Sequence, residues 1–205
     1  MKAAMLILAC YLMGSIPTGL IFCRLFYGID IRTQGSRNTG ATNVARVVGI
    51  KAGVIVLLID AFLGGAAVIM GYTFSLWVYF PVLCGFMVIV GHVFSVFLKF
   101  HGGKGVATSL GVFVVLTPAA SLLSLAVWLL LVFSTRIVAI GSLAAATLFP
   151  VSVQLLPCFF PAAARPEQRF IFWSGLVMAL LVWLTHIKNI KRIRAGTENK
   201  FGSKK

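Results

Sequence analysis

Long apolar runs alternate with short polar segments along almost the whole chain. Five runs are plain, at roughly residues 3–26, 52–72, 74–98, 137–157 and 169–188. Each reaches the ~20 residues that a helix needs to cross the hydrocarbon core of a bilayer. A further run, residues 105–133, is interrupted by the sequence TPAA and could form one long kinked helix or two shorter helices. The pattern predicts an all-α integral membrane protein, and we expect residues 1–205 to form a single transmembrane domain.

The positions of the charges decide between these two possibilities, because cytoplasmic loops of membrane proteins are enriched in Lys and Arg. Residues 24–51 carry five Lys/Arg, and the tail from Lys188 carries seven. With the N-terminus outside and a break at Pro118, every strongly basic segment lies inside. Without that break, Arg136 and the basic tail would move outside. We therefore predict a bundle of seven transmembrane helices with a cytoplasmic C-terminus, in which the helix 105–117 is short, at about 20 Å.

Composition agrees with a membrane protein and limits the kinds of partner that we expect it to bind. The chain is 60% hydrophobic and only 11% charged, whereas soluble domains are about 25% charged. Its net charge of +14 favours anionic substrates. Most of the basic residues flank apolar segments, so we do not expect nucleic-acid binding. The four cysteines lie in or beside apolar runs without a CxxC pair, and we expect reduced thiols.

Four polar segments share the predicted cytoplasmic face, at residues 33–49, 101–109, 134–142 and 185–198. In the second, HGGKGVATS, glycines permit close approach of the backbone to a ligand and precede a helix whose N-terminus favours an anion. Lys104 adds a charge and Thr108 a hydroxyl. The segment is not a P-loop, because Leu98 and Gly105 occupy positions that a P-loop gives to Gly and Ser/Thr. It indicates either a phosphate site or a glycine-rich turn with an anchoring lysine.

The first segment, GSRNTGATNVAR, has the same character, since it concentrates hydroxyls, amides and two arginines. Thr42 or Asn43 could cap a helix that starts near Val44. Capping explains only one residue of the cluster, so the segment also predicts oxyanion binding.

Several kinds of catalytic site are excluded. The four acidic residues are scattered, so a carboxylate pair for acid–base chemistry is not expected. The three histidines lack partners at metal-ligand spacing and have no aspartate five residues on, so we expect no metal, no cofactor and no His-x4-Asp acyltransferase box. Catalysis would rest on positioning and electrostatic stabilisation. Asp60, deep in an apolar run, either has a function or pairs with an arginine of residues 24–51.

The sequences GSRNTGATNVARVVG, GHVFSVFLKFHGGKGVATS and HIKNIKRI followed by GTE closely resemble the PlsY family of bacterial acyl-phosphate:glycerol-3-phosphate acyltransferases. The resemblance runs from GSIPTG at Gly14 to the tail. It implies transfer of a fatty acyl group from acyl-phosphate to the 1-hydroxyl of glycerol 3-phosphate, which gives lysophosphatidic acid and phosphate in the first step of phospholipid synthesis. It also implies a metal-free enzyme of the bacterial inner membrane, with its active site on the cytoplasmic side, and we expect a monomer surrounded by membrane lipid.

The resemblance implies roles for particular residues as well. It implies catalytic roles for Ser36, Lys104 and His186, and substrate-binding roles for Asn38, Thr42, Asn43, Arg46, Gly102, Gly103, Ser142 and Asn189. Two positions depart from the family pattern, because Leu63 replaces its usual lysine and Ala139 replaces a serine. The rival interpretation from the residues alone is a transporter or channel for phosphate-bearing anions, which also suits glycine breaks, a short helix and basic loops.

Overall fold

The computed structural model describes residues 1–74 and 76–200, and its regular elements are all helical. Ten α-helices lie in this part of the chain: α1 (Lys2–Ser15), α2 (Thr18–Tyr27), α3 (Ala41–Val47), α4 (Ile50–Phe74), α5 (Phe80–Val93), α6 (Val106–Leu116), α7 (Pro118–Thr135), α8 (Val138–Phe159), α9 (Gln168–Thr185) and α10 (Ile187–Arg194). The all-α membrane class predicted from the apolar runs is confirmed.

Within the described residues, five segments are long and apolar enough to cross a membrane: α4, α5 with its following turn to Leu98, α7, α8 and α9. Helices α1 and α2 make a sixth candidate if they form one span, with a bend of 44° between them. The run that the sequence presented as residues 3–26 is therefore broken at Pro17. Proline has no N–H to donate and disfavours helical geometry in the residue before it.

The predicted break in residues 105–133 is confirmed. Helix α6 ends at Leu116 and α7 begins at Pro118, which is the first helical position that proline favours. Helix α6 has 11 residues, so it is only about 16 Å long. The same point divides the chain into two compact units, Met1–Leu116 and the part that begins at Thr117. The single-domain organisation stays a prediction.

In the first unit, glycines let α4 pack closely against α3 and α6, the helices associated with the first and second polar segments. A Cβ on Gly53 would overlap Ala45 of α3, and a Cβ on Gly64 would overlap the backbone of Thr108 in α6. Helix α4 therefore supports both α3, in the first polar segment, and α6, which follows the GGKG sequence.

In the second unit, α8 is linked to both of its neighbours by side-chain hydrogen bonds. The indole of Trp128 in α7 donates to Ser142, and the indole of Trp183 in α9 donates to Thr147. These contacts fix the level of α8 against α7 and α9, and hence the position of Ser142.

Candidate active site

The first polar segment folds around the side chain of Asn43, which is only 2% exposed. Its Oδ1 accepts from the Ser36 N–H at 2.8 Å, and its Nδ2 donates to the carbonyls of Ile31, Gln34 and Asn38 at 3.3, 3.1 and 2.8 Å. Helix α3 begins at Ala41 with Gly40 as its N-cap, so the prediction that Thr42 or Asn43 caps it is wrong. The Asn43 amide instead supplies the polar partners that this turn of backbone cannot find in a helix.

With Asn43 inside, the loop turns other polar groups outward. Ser36, Thr42 and Arg46 are exposed, while Asn38 is half-buried and accepts from the Gly40 N–H at 2.9 Å. Arg37 adopts a left-handed backbone conformation, with φ of 62°, which is uncommon for a residue with a side chain. The loop therefore presents two hydroxyls, of Ser36 and Thr42, and two guanidiniums, of Arg37 and Arg46, from a shaped backbone. Substrate contacts by these residues and by Asn43 stay predictions.

Asp30 holds the beginning of this loop. Its carboxylate accepts from the side chain and the backbone N–H of Arg32 and from the side chain of Arg24, at 2.6–3.0 Å. The hydrogen bonds from the Arg32 side chain are the main reason that the pKa of the Asp30 carboxyl lies well below its ordinary value. The carboxylate is charged at neutral pH and keeps both arginines beside the loop.

The glycine pair of the second segment packs against the C-terminal end of α5. The Gly102 N–H donates to the Val93 carbonyl at 3.0 Å, and the Gly103 N–H donates to the His92 carbonyl at 2.9 Å. These bonds satisfy carbonyls that the end of a helix leaves without partners. A Cβ on Gly102 would overlap the His92 carbonyl, and one on Gly103 would overlap the His92 ring. Phosphate binding by these glycines stays a prediction, and it cannot use these two N–H groups.

The residues that follow the glycine pair form the start of α6. Gly105 takes a left-handed turn, with φ of 76°, and α6 begins at Val106, so Lys104 lies just before the helix N-terminus. The hydroxyls of Thr108 and Ser109 are buried and have no hydrogen-bond partner within residues 1–74 and 76–200. The first N–H groups of a helix and its dipole favour an anion. This turn therefore combines a lysine, a helix N-terminus and two hydroxyls that can still donate.

Asp60 lies in a small polar cluster between helices. It is 2% exposed, its Oδ1 accepts from the Thr18 hydroxyl at 2.5 Å, and the same atom lies 3.9 Å from Nδ1 of His92. Arg24 and Arg32, two of the arginines that could have reached it, bind Asp30 instead. Sequence reasoning missed this contact, although Thr18 lies in GSIPTG and His92 in GHVFSVFLKFHGGKGVATS, because both residues are far from Asp60 along the chain.

The second unit contains the three remaining predicted site residues. Ser142 is buried, donates to the Val138 carbonyl at 3.0 Å and accepts from Trp128. His186 joins α9 to α10 and is 2% exposed, and its Nδ1 lies 2.7 Å from the Val182 carbonyl. A carbonyl only accepts, so this nitrogen carries the proton.

Asn189 is held by the GTE sequence that follows α10. Its Nδ2 donates to Oε1 of Glu198 at 2.8 Å, and Nε of Arg192 donates to Oε2 of the same carboxylate at 2.6 Å. The Glu198 side chain is 4% exposed. Glu198 therefore does more than offset the charge of the tail, because it fixes the direction of the Asn189 amide.

Among residues 1–74 and 76–200, no three His, Cys, Asp or Glu side chains are grouped as they would be around a metal ion. The arrangement in the first unit is suited to binding phosphate oxygens through a lysine, hydroxyls and a helix N-terminus. The second unit, taken by itself, contains a buried imidazole, a buried serine and an oriented amide.

Comparison with known proteins gives a consistent result. The family model described as glycerol-3-phosphate acyltransferase matches residues 4–196. A protein of that name from Trichlorobacter lovleyi is 44% identical over 191 residues, which are 93% of each chain. A second, from Fusobacterium nucleatum, is 40% identical over 93% of this chain and 94% of its own.

Solved structures agree with these relatives. The crystal structure of PlsY, an integral membrane glycerol 3-phosphate acyltransferase, in its glycerol 3-phosphate form is 34% identical with a TM-score of 0.85, over 98% of this chain and 96% of that chain. Its lysophosphatidic acid form has the same identity and coverage with a TM-score of 0.83.

Proposed function

Because this chain belongs to the glycerol-3-phosphate acyltransferase family, it is an enzyme that acylates glycerol 3-phosphate, and we propose how its residues do so. In the proposal, acyl-phosphate is the donor and the 1-hydroxyl of glycerol 3-phosphate is the acceptor. The products are lysophosphatidic acid and inorganic phosphate. The solved relatives bound to glycerol 3-phosphate and to lysophosphatidic acid support this pair of acceptor and product. A transporter or channel has no such support.

The observation that carries the proposal is the turn at the start of α6. Lys104 precedes the helix N-terminus, and the buried Thr108 and Ser109 hydroxyls have no hydrogen-bond partner in the part of the chain that the structure describes. A buried hydroxyl without a partner carries a free-energy penalty of about 1–3 kcal/mol, which an incoming phosphate oxygen would remove. We assign one substrate phosphate to this turn.

The loop formed by the first polar segment (residues 33–49), here called the first loop, is the candidate binding site for the second phosphate. Ser36, Thr42 and Arg46 are exposed on a loop whose shape is set by Asn43. Two phosphate-bearing substrates require two groups of donors, and the first unit offers one on each polar segment. For Ser142, His186 and Asn189, which belong to the second unit, we propose substrate-contacting roles as well.

The chemistry requires little beyond positioning, since acyl-phosphate is already activated. The glycerol hydroxyl oxygen attacks the acyl carbon, the bond from that carbon to the phosphate oxygen breaks, and phosphate leaves. Lys104 and Arg46 stabilise the negative charge that develops on the carbonyl and phosphate oxygens. The hydroxyl proton passes to Nε2 of His186 or to a substrate phosphate. The contact of Nδ1 with Val182 selects the tautomer whose Nε2 can accept a proton.

An apolar groove along α4 and α6 suits the acyl chain of the donor. Its volume is about 730 Å³, and it is lined by residues such as Phe62, Gly65, Ile69 and Val114. The groove runs beside α6, the helix whose first turn carries the proposed phosphate site. A donor bound at Lys104 would therefore have an apolar surface for its tail within the same unit.

For the membrane arrangement we propose seven crossings in the bacterial inner membrane, with the N-terminus outside and the loops of the site on the cytoplasmic side. In the proposed arrangement, the five long apolar segments count as one crossing each, the bent pair α1–α2 as a sixth and the shorter α6 as a seventh. The distribution of Lys and Arg supports this orientation. A monomer surrounded by lipid contains all the residues that the mechanism uses.

The experiment is acyl transfer by the purified enzyme, with acyl-phosphate and radiolabelled glycerol 3-phosphate as substrates. Loss of one group that stabilises developing charge typically lowers kcat by about 10²- to 10³-fold, and we expect this for Lys104→Ala. Lys99→Ala is the matched control, because Lys99 is an exposed lysine just before the same segment and is expected to be dispensable. A near-parental rate for Lys104→Ala would contradict the phosphate role.

The parent enzyme also tests the choice of donor and the class of activity. Lysophosphatidic acid and phosphate should form in equal amounts from acyl-phosphate, without added metal. Acylation from acyl-CoA but not from acyl-phosphate would refute the donor. Uptake of glycerol 3-phosphate into liposomes without acylation would favour a transporter.

A further inference from the structure

The side chains of Thr18, Asp60 and His92 lie between the first and second polar segments of the first unit; Thr18 and Asp60 are buried, and the His92 side chain is 11% exposed. We propose that these three residues, the hub cluster, are positioning residues that set the distance between the first loop and the second loop. This inference rests on the proposed function, in which the two loops hold the two phosphates.

A carboxyl group at this depth needs an explanation. Asp60 is in the middle of α4, which is long and apolar enough to span a membrane. Ionisable residues inside such helices are energetically unfavourable, and they mark functional sites by default. An apolar residue of similar volume would often be as stable or more stable at a buried site. The carboxyl group can orient its neighbours, which an apolar side chain cannot, because hydrogen bonds constrain angles as well as distances.

Thr18 connects Asp60 to the first loop. Thr18, at the start of α2, donates its hydroxyl hydrogen bond to Asp60. The next residue, Gly19, packs so closely on the Thr39 carbonyl that a Cβ would overlap it. Thr39 is buried inside GSRNTG. The position of Thr18 on Asp60 therefore determines where the backbone of the first loop rests.

His92 connects Asp60 to the second loop, which is the loop of the second polar segment (residues 101–109). His92 is in the last turn of α5, with Nδ1 3.9 Å from Oδ1 of Asp60, an electrostatic contact longer than a hydrogen bond. The opposite edge of the ring, around Nε2, lies against Gly103. The backbone of the same residue accepts the Gly103 N–H. The angle of the imidazole therefore determines where Gly103, and Lys104 after it, can lie.

Asp60 is thus next to Thr18 on one side and His92 on the other. Gly19, the neighbour of Thr18, packs on the first loop, and His92 itself packs on the second. A change at Asp60 should shift the loops relative to each other without touching substrate. Displacement of a reacting group by about 1 Å can lower the rate by about 100-fold. We expect Asp60→Asn to lower kcat/KM by about tenfold to a hundredfold, chiefly through kcat.

Thr18 provides a matched pair of variants. Thr18→Val keeps the shape but removes the hydroxyl, whereas Thr18→Ser keeps the hydroxyl. Thr18→Val should behave like Asp60→Asn, and Thr18→Ser should remain within about threefold of the parent, as expected for retention of the hydrogen bond. If Thr18 acted through packing alone, Thr18→Val would be more active than Thr18→Ser, because valine preserves more of the buried volume.

The deciding measurement is the distance between the loops. Spin labels are attached at Gln34→Cys and His101→Cys, both exposed positions that the mechanism does not use. All proteins carry Cys158→Ser, because Cys158 is exposed whereas Cys10, Cys23 and Cys84 are buried. Pulsed electron paramagnetic resonance then gives the distance distribution between the labels, and thermal unfolding in detergent gives the stability.

We expect a shifted or broadened distribution and a lower kcat in Asp60→Asn and Thr18→Val, and parental behaviour in Thr18→Ser. Unchanged distances would overturn the inference, whatever happens to activity. Changed distances with parental kinetics would also overturn it. If the parent enzyme itself fails to acylate glycerol 3-phosphate, the proposed function fails, and the distances still decide whether the hub cluster positions the loops.

Discussion

Gly103→Ala tests whether the second loop must rest directly on the His92 ring. An added Cβ would come within 2.8 Å of Cδ2 and 3.0 Å of Cε1, and closer still to Nε2, whereas ordinary contacts begin at 3.4 Å. Either the ring or the loop must therefore retreat by about 1 Å. Overpacking of this kind costs about 1–3 kcal/mol. If this energy destabilises the catalytically active arrangement of the loop, kcat/KM should fall by about 5- to 150-fold.

The same substitution in a His92→Ala background separates this clash from any direct contact between Gly103 and phosphate. Removal of the ring leaves space for the new methyl group, so Gly103→Ala should then cost little more. The coupling energy from the four proteins should reach about 1 kcal/mol or more, as expected for residues in contact.

Gly102→Ala is the matched control. Its added Cβ would overlap the backbone carbonyl of His92 and come within 2.9 Å of the Val93 carbonyl, and no side-chain substitution removes either atom. Its effect should be additive with His92→Ala within about 0.5 kcal/mol. The assay is the initial rate of acyl transfer at varied glycerol 3-phosphate, with folded protein quantified by size exclusion. An equal loss from Gly103→Ala in both backgrounds would refute the role of the ring.

Three further predictions concern the loops and the tail. Asn43→Ala removes four loop hydrogen bonds and should lower the free energy of unfolding by about 1–3 kcal/mol, measured by thermal unfolding in detergent, whereas Thr42→Ala next to it should not. The Asp30 carboxyl, whose pKa is lowered in the folded protein, should remain ionised through the ordinary titration range of aspartate in carbon-13 spectra. Its stabilising contribution is present at neutral pH and should disappear only as the pH falls through the depressed pKa, so titration at the ordinary value would contradict the pairing with arginines. Glu198→Ala should raise KM for substrate more than Glu198→Gln, which still accepts from the Asn189 amide, and equal effects would argue against this role.

Much of the fold could be predicted from local features of the sequence. The apolar runs identified the spanning helices, and Pro118 with the charge distribution placed the break between α6 and α7. The break at Pro17 was missed because hydrophobic composition measures burial in lipid and carries no information about bending. The site motifs were also visible in the sequence, since glycines, hydroxyls and basic residues in an apolar chain stand out without reference to structure.

The roles of residues inside those motifs were harder to predict. Asn43 was interpreted as a possible helix cap, but Gly40 occupies that position and the Asn43 amide serves three carbonyls and one N–H of the preceding loop. Gly102 and Gly103 were expected to lie against a ligand, yet both pack on the end of α5. In each case the residue type is explained by a backbone that comes near only after the chain has folded.

The class of protein, the polar segments and the family could be identified without a structure, because hydropathy, charge and motif spacing are properties of neighbouring residues. The meeting of Thr18, Asp60 and His92 becomes visible only in the folded chain. These residues are separated by 42 and by 32 positions along the chain, and they meet only because α2, α4 and α5 pack at this level. No local pattern encodes such a contact, since it depends on the packing of several helices at once.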